Sequence, residues 1–180
     1  MDTTLTLEGI ISFLLETPLF RDLDPTELSE VVRIMQVQRV RAEHPIFREG
    51  DEGDAWYVLY SGEADVLKET PFGGPRRLTT LSSPACFGEM AILDGSRRSA
   101  TMIARGEVVV FRFPRPPFMD LLDEGNLSAY KLVFQMAKVL CERQRNLTQR
   151  LSEVIEGEPH ERPVLRRTIG ALIDSYTVSE

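Results

Sequence analysis

Gly88, Glu89 and Arg98 combine residue types and a spacing that could do chemistry, and that chemistry is capture of a phosphate ester with an adjoining sugar hydroxyl. They lie in the run FGEMAILDGSRRSATMIAR, residues 87–105. Phe87 and Gly88 close a strand, and Gly88, having no Cβ, lets the backbone approach a ligand. Residues 89–93 form a helical turn whose leading N–H groups, those of Met90 and Ala91 among them, have no intrahelical acceptor and face an anion. Arg98 supplies the opposing charge. Its planar fork can donate two parallel bonds to phosphate oxygens, each charge-assisted bond contributing roughly 1.5–3 kcal/mol net. Ser99 adds a hydroxyl and a backbone N–H, and Ala100 follows directly. Since a carboxylate facing a phosphate would be repelled, Glu89 is expected to turn toward a ribose and accept from its 2′-hydroxyl. The competing reading makes Gly88–Glu89 an ordinary strand-to-helix turn and Arg98 a solvated surface charge. The flanking Phe87 and the Ala100–Thr101 pair weigh against it.

The elements that must position these groups are legible on both sides. Residues 44–67, HPIFREGDEGDAWYVLYSGEADVL, read as three strands separated by Gly-Asp and Ser-Gly turns, with Trp56, Val58 and Tyr60 alternating. Further strands are expected at 77–81, 101–104 and 108–113. Residues 10–15 and the stretch PLFRDLDPTELSEVVRIM read as helices, with Asp24 as N-cap, Pro25 at the first helical position and Glu27 in the first turn. Residues 116–122 and the chain from Leu127 onward are helical by pattern.

Composition bounds the function. With 180 residues, 42% of them hydrophobic, the chain can bury one core plus an extension. Its net charge of −7 opposes approach to nucleic acid or an anionic membrane, so direct DNA binding and membrane association are not expected. Screening over about 8 Å at physiological salt still lets Arg98 dominate its own pocket. Cys86 and Cys141 lack C-x-x-C spacing and read as buried thiols outside any disulfide. His44 and His160 have no ligand partners at useful spacing, so no metal is expected. The start MDTTLTLEGIISFLLE lacks a basic segment and is interrupted by Glu8, Ser12 and Glu16, which fits neither a signal peptide nor a membrane span and points to the cytoplasm. No Walker-type loop, paired aspartates or nucleophile–base set is visible, so an enzyme is not expected.

The cassette FGEMA followed by RSAT resembles the phosphate-binding cassette of the cyclic nucleotide-binding domain family, in particular of bacterial cyclic-AMP receptor-like sensors. One departure is Arg97, where the family has proline. The resemblance runs from about Leu5 to Glu156. It implies an α+β fold, an antiparallel β-roll with N-terminal helices and a long C-terminal helix, and a non-catalytic allosteric module. It also implies a ligand site at Phe87, Gly88, Glu89, Met90, Ala91, Arg98, Ser99 and Ala100. The purine would lie against Val66 and Leu78, and its polar edge would meet Arg143 and Gln144 on the C-terminal helix. An amide at Gln144 suits adenine, whereas Arg143 suits guanine. Cyclic AMP is the expected ligand and cyclic GMP the alternative. A dimerisation module with a vestigial nucleotide site is the reading from another class.

The long helix carries a seam of its own. Tyr130, Ala137, Gln144 and Leu151 recur every seven residues, and so do Val133, Leu140, Leu147 and Val154, which predicts a parallel homodimer. A domain over residues 1–156 would therefore include this helix from 126, and residues 157–180 would form a linker and one short amphipathic helix. Residues 164–178 are a candidate docking segment for a protein partner. Family members that regulate transcription carry a winged helix-turn-helix after the long helix, for which the 24 residues beyond Glu156 leave no room.

Overall fold

Two helices precede the strands, and each begins on a side-chain cap. Thr6 Oγ1 accepts from the Gly9 N–H at 3.2 Å to start α1, Leu7–Glu16. Asp24 starts α2, Pro25–Val32, with a full capping box: Oδ1 accepts from Thr26 and Glu27 N–H at 2.8 and 2.9 Å, and Glu27 Oε2 accepts from the Asp24 N–H at 3.0 Å. Such a cap stabilises a helix by about 1 kcal/mol. The helix expected to start at Asp24 and Pro25 does so, whereas the part of the expected helical stretch before it, residues 18–24, is not α-helical. Pro18 opens a single 3₁₀ turn, Pro18–Phe20, and Pro25 fits only the first position of a new helix. This computed structural model describes residues 5–71 and 73–157, and the chain falls into two units, Met1–Ala137 and Lys138–Glu180. The expected short helix at 164–178 and His160 lie outside the described residues.

Eight strands form two four-stranded antiparallel sheets. They are β1, Gln36–Val40; β2, Pro45–Phe47; β3, Ala55–Ser61; β4, Glu63–Thr70; β5, Gly74–Ser82; β6, Ala85–Phe87; β7, Thr101–Ala104; and β8, Val108–Pro114. The orders are β1-β8-β3-β6 and β2-β7-β4-β5, so sequence-distant strands pair in both sheets, as in an antiparallel β-roll. The fold is α+β. Strand β1, with its polar QVQRV sequence, was not evident from the pattern; it forms because Gln36 through Val40 pair in register with Arg112 through Val108.

The alternation expected in β3 is replaced by a run buried on both faces. Trp56 and Val58 point to a core shared with the helices, where Trp56 stacks on Phe113 at 4.0 Å. Ala55, Tyr57 and Leu59 point to a second core between the sheets, with Phe87, Met102 and Val110. A strand covered on both sides loses its polar positions, so period two vanishes from its sequence.

Three helices follow β6. Helix α3, Met90–Asp94, lies between β6 and β7; α4, Arg115–Asp123, follows β8; α5 runs Leu127–Gly157. Within the first unit the start of α5 buries Ala129, Leu132 and Met136. Asn126 Nδ2 and Ser128 Oγ donate to Glu30, Lys131 pairs with Glu27, and Gln135 donates to Asp22, so polar groups also tie α5 to α2 and to the turn before it. Val133, expected in the dimer seam, packs on this same core. Phe134, one residue on, is exposed instead. Cys141 is exposed rather than buried, as is every residue from 141 to 151, and neither cysteine is in a disulfide.

Candidate functional site

Phe87 ends β6 inside the inter-sheet core, and the chain turns into α3 through Gly88 at φ 77°. A Cβ at Gly88 would come 2.8 Å from Arg98 Nη1, so glycine is required both by the backbone and by the approaching guanidinium. Glu89, 4% exposed, is already helical, and its carbonyl accepts from the Ile92 and Leu93 N–H at 3.1 Å each. A carboxylate at a helix start is electrostatically favoured. Ala91 is buried, and α3 can sit where it does only because Gly53 has no side chain: a Cβ there would lie 2.2 Å from the Ala91 Cβ.

Arg98 is 3% exposed, not a solvated surface charge. Its Nη1 donates to the Gly88 carbonyl at 3.0 Å, and its Nη2 donates to the Ala55 carbonyl at 2.6 Å and to Asp54 Oδ1 at 3.1 Å. Its Cζ lies 4.2 Å from the Phe47 ring centroid and 5.6 Å from that of Tyr57, while Tyr57 stacks on Phe87 at 5.3 Å. A guanidinium has five N–H donors. Three are taken by protein acceptors, and the buried Nε–H has no partner. The expected open fork is thus partly spent on holding the side chain. A buried cation with an unsatisfied donor is costly, about 1–3 kcal/mol for the donor, unless something anionic meets it.

Asp54 anchors more than Arg98. Its other oxygen, Oδ2, accepts from Arg112 Nη2 at 2.6 Å, and Arg112 Nη1 donates to Gln36 Oε1 at 2.9 Å. Burial pushes the Asp54 carboxyl up, but the bond and charge of Arg112, then the charge and bond of Arg98, overcome this and hold it below its ordinary value. Tyr57 moves the other way: burial first, then the Asp54 charge, raise its phenol.

The second half of the cassette is laced to the loop before β3. Gly50 N–H donates to the Arg98 carbonyl and Arg98 N–H to the Asp51 carbonyl, each at 2.9 Å. Arg97, in the position where proline was expected, donates to the Gly50 carbonyl at 2.8 Å and so braces the same loop. Lys68 bridges Glu49, at 2.6 Å, and the Ser99 carbonyl, at 2.8 Å. Ser99 itself is exposed, its hydroxyl 4.0 Å from Met90 Sδ.

The structure therefore gathers Phe87, Gly88, Glu89, Met90, Ala91, Arg98, Ser99 and Ala100 around one turn. Val66 lies one strand away, paired with Met102 of β7, and is partly buried against the inter-sheet core. Leu78 is the extra residue of a β-bulge, between Thr79 opposite Val66 and Arg77 opposite Leu67, and is 62% exposed. Arg143 and Gln144 belong to the other unit, on the exposed part of α5. Sequence reasoning missed Phe47, Gly53, Asp54, Tyr57 and Arg112. The doubled Gly-Asp of EGDEGD marked Gly53 and Asp54 only as turn residues. Among the described residues there is no group of three His, Cys, Asp or Glu that could hold a metal, and no helix long and apolar enough to cross a membrane.

A family model described as "Cyclic nucleotide-binding domain" matches residues 37–124. The chain is 32% identical over 127 residues to a "Cyclic AMP receptor protein" of Thermus thermophilus, covering 70% of this chain and 58% of that protein. It is 34% identical over 104 residues to a "cAMP-dependent protein kinase regulatory subunit" of Blastocladiella emersonii, covering 58% of this chain and 26% of that one. The match thus spans about a quarter to three fifths of these relatives. A solved cyclic nucleotide-binding domain from Methylobacillus flagellatus superimposes with a TM-score of 0.75 over 86% of this chain and 87% of that one, at 23% identity, which speaks to the fold.

Proposed function

We propose that this chain, which through residues 37–124 belongs to the cyclic nucleotide-binding domain family, is a non-catalytic sensor of cyclic AMP. The observation that carries the reading is the Arg98 guanidinium, buried, pinned on three protein acceptors and left with an unpartnered Nε–H beside Gly88 and α3. A cyclic phosphate satisfies that donor and neutralises the cation, while the N–H groups of Met90 and Ala91 meet its other oxygens. Glu89 accepts from the ribose 2′-hydroxyl. Val66 and the exposed Leu78 cover the purine. Proteins with related sequences are named for cyclic AMP reception and for regulation of a cyclic-AMP-dependent kinase, which supports the choice of ligand.

The module works as a dimer through α5 in this reading. Leu127 and Tyr130, then Leu147, Leu151 and Val154, are apolar and exposed on that helix, and Cys141 stands a heptad-compatible distance from Tyr130, Ala137 and Gln144. Titration calorimetry with cyclic AMP and cyclic GMP tests the ligand. Saturable binding of cyclic AMP, abolished in Arg98→Ala, is expected. No heat with either nucleotide sinks the sensor reading, and tighter binding of cyclic GMP corrects the ligand while keeping the class.

A further inference from the structure

Asp54 is bound by two guanidinium groups at once. Arg98 holds Oδ1 at 3.1 Å and Arg112 holds Oδ2 at 2.6 Å. The Asp54 side chain is 58% exposed, so the protein around it does not confine it by packing, whereas the Arg112 side chain is only 21% exposed. Arg112 is itself fixed from another direction. Gln36 of β1 accepts from its Nη1 at 2.9 Å, and Tyr57 of β3 stands directly opposite it. Register explains the meeting: Arg112 lies opposite Gln36 across the β1–β8 ladder and opposite Tyr57 across the β3–β8 ladder. The order of attachment runs from β1 to Arg112, from Arg112 to Asp54, and from Asp54 to the Nη2 of Arg98.

We infer that Arg112 is a positioning residue of the phosphate site, a brace that immobilises Asp54 and thereby sets the plane of the Arg98 guanidinium. The inference rests on the nucleotide-sensor reading above for its effect on affinity, but the brace can be seen without any ligand. Without Arg112, Asp54 is an exposed carboxylate on a rotatable side chain, and the contact it gives Arg98 becomes intermittent. The guanidinium then keeps two backbone carbonyls, Gly88 and Ala55, and gains a freedom that turns its Nε–H away from one fixed direction. The charged groups facing Asp54 are Arg98 and Arg112, and Tyr57 is the third titratable neighbour. Among them Arg112 does most to keep the carboxyl ionised. Losing it lets that carboxyl protonate at a higher pH, which detaches Arg98 further.

The experiment compares wild type with Arg112→Gln, Arg112→Lys, Asp54→Asn and the Arg112→Gln/Asp54→Asn pair, each first checked for a cooperative thermal melt. Cyclic AMP affinity is measured by calorimetry in steps downward from pH 7. Arg112→Gln and Asp54→Asn are each expected to weaken binding about five- to ten-fold at pH 7, and the double variant no more than either single one, since the two residues act in series. Arg112→Gln should begin to lose further affinity at a higher pH than wild type as the series is taken toward acid, because Arg112 does most to hold the Asp54 carboxyl down. Arg112→Lys should recover part of the loss and flatten the profile. A ligand-independent arm follows the Arg98 Nε–H signal by NMR with isotope-labelled arginine, where Arg112→Gln should broaden it and speed its exchange with water while the melt is unchanged. Wild-type affinity and pH profile in Arg112→Gln, additive losses in the double variant, or an unaltered Nε–H signal each overturn the brace. If no cyclic nucleotide binds even the wild type, the sensor reading falls, and the Nε–H signal still decides the brace.

Discussion

Arg98 is a cation held at 3% exposure among aromatic rings, whereas along α5 Leu127 stands 63% exposed and Val154 62% exposed. Each region puts a side chain where elementary transfer energetics disfavours it: charge inside, hydrocarbon outside. The two differ in how the chain compensates. Around Arg98 the structure supplies Asp54, two carbonyls and the Phe47 ring, and leaves the buried Nε–H for a small anion to complete. Along α5 the exposed apolar residues have no such compensation within the described residues, and the proposed dimer is what would cover them. An unfinished polar site thus points to a small ligand and an unfinished apolar one to another protein surface.

Loss of Arg98 has the largest expected effect. Arg98→Ala should weaken cyclic AMP binding about a hundred-fold or more and lower stability by about 2–4 kcal/mol, because Asp54 and two carbonyls lose their donor together. Calorimetry and thermal melts check both effects, and affinity within three-fold of wild type would remove the cation from the site. Arg98→Lys keeps the charge but cannot span three acceptors, so it should restore little.

Gly88→Ala comes next, with an expected destabilisation of about 1–3 kcal/mol and a parallel loss of affinity. Gly125→Ala is its control. Gly125 has φ 76° with nothing within 4 Å of its added Cβ, against φ 77° and 2.8 Å to Arg98 Nη1 for Gly88. Denaturant melts of the two variants separate backbone strain from displacement of the guanidinium; equal losses would mean that the guanidinium yields without consequence.

On the helix, Tyr130→Glu combined with Leu151→Lys should shift sedimentation from dimer to monomer while the β-roll still melts cooperatively. Mild oxidation should cross-link wild type through Cys141 if two copies run parallel along this seam. A wild type that sediments as a monomer at high concentration would assign the exposed face to some other surface.

The smallest effect concerns acid. The Asp54 carboxyl is held below its ordinary value in the folded chain, so folding favours its ionised form. That contribution is complete above the unfolded carboxyl's value of about 3.9 and is lost as pH falls through the lower folded value. Asp54→Asn should therefore be less stable than wild type near neutrality and should show a shallower loss of stability below pH 4 in urea melts taken at stepped pH. An unchanged acid limb would show that Asp54 is no more strongly held than an exposed aspartate.

The cassette was legible because its demands are local. A glycine before a helical turn, an acid at the turn and an arginine nine residues on specify a phosphate seat within one short run, and the α2 capping box is likewise written in four consecutive residues, DPTE. The double burial of β3 was not legible, since apolar residues on both faces erase the alternation by which a strand is recognised. Nor was the division of α5 between core and surface: Val133 fits the heptad pattern of the sequence, yet it packs on the core while Phe134 beside it is exposed.

By itself, then, the sequence carried the resemblance to the cyclic nucleotide-binding domain family, the capped helix at Pro25–Val32 and most of the strands around the Gly88 turn, all properties carried by neighbours along the chain. Only the tertiary structure decided what holds Arg98. Phe47, Asp54, Ala55 and Tyr57 come to it from β2, the following loop and β3, more than forty positions away, and Arg112 of β8 backs Asp54, through the antiparallel pairing of strands distant in sequence. No spacing rule announces such contacts, because sheet register, not sequence separation, sets which side chains meet.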